Sequence, residues 1–163
     1  MPKDHGLLKS KYIIRKFNTK ESRENHEPDT VSEFEKNMFL VEGIEKLWKL
    51  VANIDTSSYF AEANTYIGVG NGTTAEAEGQ TGLQGGSTAF ASMDSGYPQV
   101  SGDTITFYAT FDRSTANFDW EEFTIVNSGD DTGDNLNRKV SGQGTKVNGA
   151  VWEFEVQLQI THS

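Results

Sequence analysis

No cysteine occurs in the 163 residues, which excludes disulfide bridges and cysteine-ligated zinc and leaves the redox compartment open. Histidine is scarce: His5, His26 and His162 fall early in the chain or at its last positions. A general base needs a rigid scaffold, so a nucleophilic triad has no natural histidine here, and no histidine cluster has metal-ligand spacing. No apolar run approaches the roughly 20 residues of a membrane-spanning helix. Leu7-Leu8 and Ile13-Ile14 are interrupted by Lys9, Ser10 and Lys11, so the basic beginning does not run on into the apolar stretch of a secretion signal.

Charge is present in abundance, but unevenly. Residues 1–20 carry six bases against the single acid Asp4, a charge of +5, and the rest of the chain carries eight bases and 23 acids, a charge of −15, which together give the net −10. An acidic body argues against nucleic-acid binding outside the first 20 residues. The length fits one domain able to bury a core without staples. Asn18 to Pro28 is almost wholly polar. Residues 1–36 therefore read as an extended N-terminal arm and residues 37–163 as the body. Within the arm, Leu7, Tyr12, Ile13, Ile14 and Phe17 interleave with Lys9, Lys11 and Arg15. These eight are the expected partner-binding residues: apolar groups fill pockets on a partner, bases steer, and the arm orders on assembly.

One helix is expected over residues 33–52. Leu40, Ile44, Leu47, Trp48 and Val51 recur at helical spacing and are expected to face the core. Thr30 or Ser32 is available to cap it, Asn53 to end it, and Gly43 suits close packing. Beyond Asn53 the period changes to two. Ile105–Phe111 alternates, as do Phe123 and Ile125, and Trp152, Phe154, Val156, Leu158 and Ile160 alternate strictly with polar residues. Such strands, separated by Gly- and Asn-containing turns, belong to antiparallel sheets. The fold class expected is mainly β with one N-terminal helix: an antiparallel β-sandwich-like body behind the arm. Residues 70–102 are too long for a hairpin and hold either weak strands or a functional surface loop.

Three groups invite a chemical reading. Gly68-Val69-Gly70-Asn71-Gly72-Thr73-Thr74 resembles a phosphate loop but lacks its lysine and following helix, so a strand ending in a tight Asn-Gly turn is preferred. Asn71-Gly72-Thr73 is also a glycosylation sequon, read as chance without a secretion signal. The loop Asp130–Asn135 is rich in carboxylates without the spacing of a calcium loop, and a solvated turn is expected. Asp119, Glu121 and Glu122 flank Trp120, as paired carboxylates beside a sugar-stacking ring would, or as acids on the exposed face of a strand. No enzyme, cofactor or metal is expected.

One series of motifs goes further. It runs Asn64-Thr65-Tyr66-Ile67-Gly68-Val69-Gly70-Asn71-Gly72-Thr73-Thr74, Gly96-Tyr97-Pro98, Ala109-Thr110-Phe111, Ala116-Asn117-Phe118-Asp119-Trp120-Glu121-Glu122, Leu136-Asn137-Arg138, and Gly144-Thr145-Lys146 before Trp152. Over about residues 37–161 this resembles a class of small virion structural proteins of tailed bacteriophages, found among capsid decoration (cement) and tail-associated proteins. The resemblance implies a structural role on the capsid surface, with the major capsid protein and neighbouring copies as partners, a trimer as the favoured oligomer, and no nucleic acid or membrane. A tail or baseplate component, or a carbohydrate-binding module using Tyr97 or Trp120, is the alternative. Within these motifs, Asp112-Arg113-Ser114-Thr115 makes a polar turn, Trp120 or Phe123 packs on the sheet, and Arg138 comes back beside Glu121 or Glu122.

Overall fold

A computed structural model describes residues 7–57 and 59–161. In chain order they form β1 (Leu7–Phe17), α1 (Lys20–Asn25), β2 (Thr30–Glu35), β3 (Met38–Phe39), α2 (Val41–Val51), β4 (Tyr66–Gly70), β5 (Thr88–Ser92), β6 (Gln99–Ser101), β7 (Thr104–Phe111), β8 (Asp119–Val126), β9 (Asn135–Thr145) and β10 (Val151–Thr161). Two antiparallel five-stranded sheets result, ordered β2-β1-β10-β7-β6 and β3-β9-β8-β4-β5.

β10 behaves as its alternation requires. Trp152, Phe154, Val156 and Leu158 point into the core, whereas Ile160 is exposed. Both sheets contribute rings to that core. Trp120 of β8 meets Phe111 of β7 at 4.8 Å and Trp152 of β10 at 4.7 Å, both edge-on. Phe123 meets Phe154 at 5.0 Å. Edge-on pairs of this kind add to the burial energy of large side chains. The polar turn after β7 is also as expected: Asp112 accepts backbone N–H bonds from Ser114 and Thr115.

The extended arm is not found. β1 lies between β2 and β10, paired with β10 from Leu7↔Thr161 to Phe17↔Val151. Tyr12, Ile13, Ile14 and Phe17 are buried in the chain's own fold. Tyr12 stacks on Phe34 of β2 at 4.9 Å, and its hydroxyl accepts a 2.8 Å bond from Asn137 of the opposite sheet. The polar stretch after β1 is ordered by caps. Thr19 accepts the Ser22 N–H at the start of α1, and Asp29 accepts the N–H groups of Asn18 and Thr19.

The single helix over 33–52 is likewise corrected. Residues 30–35 and 38–39 are strands, α2 begins at Val41 behind Leu40 with no side-chain cap, and α1 is a second helix. Burial along Thr30–Glu35 alternates, with Ser32 and Phe34 partly covered and Val31 exposed, and the pairing with β1 places Phe34 against Tyr12. Asn53 does end α2, in the left-handed conformation with φ 55°. Residues 70–102 contain two short strands, β5 and β6.

Candidate interaction surface

The seating of α2 is set by two residues on its inner side. Gly43 lies against β9, where an added Cβ would stand 2.5 Å from Leu136 Cα and 2.7 Å from the Asn135 carbonyl oxygen. Lys46 is only 2% exposed, with Nζ 3.0 Å from Asp55 and 3.7 Å from Asp134. Glu42 adds a bond from the Asn135 N–H at 2.8 Å, and burial raises its pKa above the ordinary carboxylate value. The helix thus meets the body through a glycine and charged side chains.

Its apolar stripe consequently faces outward. Val41, Ile44 and Leu47 are exposed, Trp48 is 67% exposed and Val51 76%, and Ile54 beyond the helix is 77% exposed. The expectation that this face joins the core is overturned, except for Leu40, which is fully buried. Helical periodicity identifies an apolar face without saying which side the rest of the chain covers. Single exposed apolar residues are ordinary, but a contiguous stripe on one helix makes this face the candidate interaction surface of the molecule.

The glycine-rich loop after β4 holds an anion, and that anion belongs to the chain itself. The Glu122 carboxylate accepts N–H bonds from Gly72 at 3.1 Å, Gln84 at 2.9 Å and Gly85 at 2.7 Å. Its Oε2 also receives Arg138, from Nε at 2.8 Å and with Nη2 at 2.7 Å, all fully buried. Arg138 Nη1 then reaches the Thr74 carbonyl and Gln80 Oε1, each at 2.9 Å. The Asn-Gly pair therefore does not close a tight hairpin. β4 pairs instead with β5, and the intervening loop is anchored on Glu122. The sequence signal was present in the glycines, but the acid that fills their N–H cradle lies some fifty residues away.

Two grooves mark the outer face of the first sheet. One, of about 580 Å³, is flanked by Lys9, Lys11 and Lys36 beside Glu35. The other, of about 460 Å³, has Arg15, Glu153 and Glu155 beneath Tyr97, Tyr108 and His26. Tyr97 stacks on Tyr108 at 5.2 Å, Tyr108 hydrogen-bonds Glu153, and Arg15 Nη1 bonds Glu155 at 2.9 Å. Burial, then the Glu153 carboxylate, push the Tyr108 phenol up.

The expected partner-binding residues thus divide. Tyr12, Ile13, Ile14 and Phe17 are committed to the interior, while Lys9, Lys11 and Arg15 border the grooves. For Leu7 only its place in β1 is described. Trp120 is fully buried, its indole N–H donating to the Ala116 carbonyl at 2.9 Å, so it cannot stack on a sugar. The nearby acids do not converge: Asp119 bonds Thr145, and Glu122 belongs to Arg138 and the loop. Nor do the carboxylates of Asp130–Asn135 point to one centre. Asp130 caps Thr132, Asp131 takes the Leu83 N–H, and Asp134 faces Asn127 and Lys46. No group of three metal-ligating side chains occurs among the described residues. No protein-family model, curated protein or solved structure matches the chain.

Proposed function

We propose that this chain is a structural protein of a tailed-bacteriophage virion, a capsid decoration protein that binds the outer shell and neighbouring copies through a β-sandwich body. The observation that carries the reading is the outward apolar stripe of α2, seated on the body through Gly43 and Lys46. A fixed apolar helix face of this kind suits a partner that covers it permanently. The motif series from Asn64 to Trp152, together with the resemblance it supports, supplies the virion assignment. Docking then rests on α2 rather than on an N-terminal arm, and Lys9 and Lys11 are left to steer encounter with an acidic surface. Repetition over many copies on a particle compensates for a small contact at each.

The test is occupancy on virions. Gold-labelled antibody should decorate heads, and purified chain should rebind particles stripped of it. Trp48→Glu should lower rebinding at least tenfold while leaving the melting temperature unchanged. Label confined to the tail would favour the tail or baseplate role, and undiminished rebinding by Trp48→Glu would sink the α2 reading.

The Tyr97–Tyr108 stack above Glu153 favours a second reading, a carbohydrate-binding module. A reproducible glycan-array signal that Tyr97→Ala abolishes would move the assignment to it.

A further inference from the structure

We infer that the outward face of α2 binds the same face of a second copy, as an antiparallel pair about a twofold axis passing between Leu47 and Trp48. The inference rests on the reading of this face as an assembly surface and names the partner that covers it. Two observations select that partner. The first is the spacing of the exposed apolar residues. With the axis between Leu47 and Trp48, Leu47 meets Trp48 of the second copy, Ile44 meets Val51, and Val41 meets Ile54. Every exposed apolar residue of the stripe, from Val41 to Ile54, finds an apolar counterpart.

The second is charge. Glu45 and Lys49 lie along one flank of the stripe, one turn apart, and within the chain they pair at 2.8 Å. A twofold axis brings equal flanks together in opposite directions. Glu45 of each copy then lies beside Lys49 of the other, within one residue of the register the apolar contacts set. A parallel arrangement in register would instead bring opposite flanks together, so that neither Glu45 nor Lys49 would lie beside its complement in the other copy. The face is therefore self-complementary in the antiparallel sense that a twofold interface requires.

The contact is small. Eleven helical residues extend about 16 Å, well short of the roughly 800 Å² per partner of a standard interface if they act alone. Pairing is expected in roughly the micromolar range, weak in dilute solution and filled where copies are crowded.

Sedimentation velocity on the full chain should show the mass rising from one chain to two as concentration climbs. Trp48→Glu and, as a second and smaller change, Ile44→Ser should each shift that rise upward at least tenfold. Glu45→Lys and Lys49→Glu should each weaken pairing severalfold, and the double swap Glu45→Lys/Lys49→Glu should restore it. Because the chain has no native cysteine, Glu45→Cys mixed with Lys49→Cys reports direction. The mixed disulfide should form several times faster than either like pair. A chain monomeric at several hundred micromolar, a three-chain mass, or faster like-pair disulfides would each overturn the pairing. Particle occupancy separates this from the function proposed above. Dimers whose Trp48→Glu loss leaves virion occupancy intact support the pairing and remove the shell contact from this face. A strictly monomeric chain that still needs Trp48 to bind particles overturns the pairing and keeps the shell contact.

Discussion

Glu122 of β8 and Arg138 of β9 meet in the closed interior, with Arg138 Nη2 2.7 Å from Glu122 Oε2 and neither side chain exposed. Two adjacent strands and the loop over Gly72–Gly85 are fastened at this one carboxylate. A buried ion pair is worth little net against an apolar replacement of the same shape, but removing one partner strands the other.

Glu122→Ala should therefore cost about 3–5 kcal/mol, read from urea unfolding, because Arg138 stays buried without its counter-charge. The amides of Gly72, Gln84 and Gly85 should exchange faster than the β7 and β10 amides. A loss under about 1 kcal/mol, or unchanged exchange at those three amides, would show that the loop is held otherwise.

Gly43→Ala is a sharp test of how α2 is seated. On an open helix this change stabilises by about 1 kcal/mol. Here the new methyl group meets Leu136 and the Asn135 carbonyl, so destabilisation of about 1–3 kcal/mol is expected. A rise in melting temperature would mean that the helix sits farther from β9.

The tryptophans should separate cleanly. Trp120→Ala removes the ring between the two sheets and should cost about 3–5 kcal/mol. Trp48→Ala should stay within about 0.5 kcal/mol in dilute protein, since the ring is mostly in solvent. Equal losses from both would place Trp48 in the core.

Deleting residues 1–17 should abolish cooperative folding, because it removes the strand between β2 and β10. Ile14→Ala alone should cost about 2–5 kcal/mol. A soluble truncated chain with an unchanged thermal transition would restore the detachable arm.

Asp29 gives a pH signature. The Thr19 N–H, and the Ser22 hydroxyl after it, hold its carboxyl down to about 2. A carboxyl depressed by folding adds stability that is complete above its unfolded value of about 3.9. That contribution is lost as pH falls through about 2. An NMR titration of Asp29 should place its midpoint near the lower value, and Asp29→Asn should flatten the stability loss across this window. A midpoint near 4 would contradict the capping role.

What the sequence disclosed follows from how each element meets water. β10 was legible because its outward side chains are all polar, so Glu153, Glu155, Gln157 and Gln159 mark its period although Glu153 is itself covered. β1 was not, because Ile13 and Ile14 are buried on opposite faces and the alternation disappears. The basic residues on either side of them, Lys9, Lys11, Arg15 and Lys16, then looked like a tether. The period of α2 was visible, but its direction depended on Gly43 and Lys46, residues that no hydropathy pattern places inside. The return of Arg138 beside Glu121 or Glu122 was readable from the motif series, whereas the N–H groups that single out Glu122 come from a loop with no pattern of its own.

The pairing of β1 with β10 also dictates when the molecule can become itself. Leu7 is bonded in register with Thr161, a separation of 154 positions, and every rung of that ladder joins the start of the described chain to its end. During synthesis β1 has β2 beside it early but waits for its other neighbour until β10 has emerged from the ribosome. Rings such as Tyr12 and Phe17 spend that interval without the strand that encloses them. Structures dominated by such distant pairings fold in roughly milliseconds to seconds rather than microseconds. The half-made sheet, with an open strand edge, is the species on which chaperones would act.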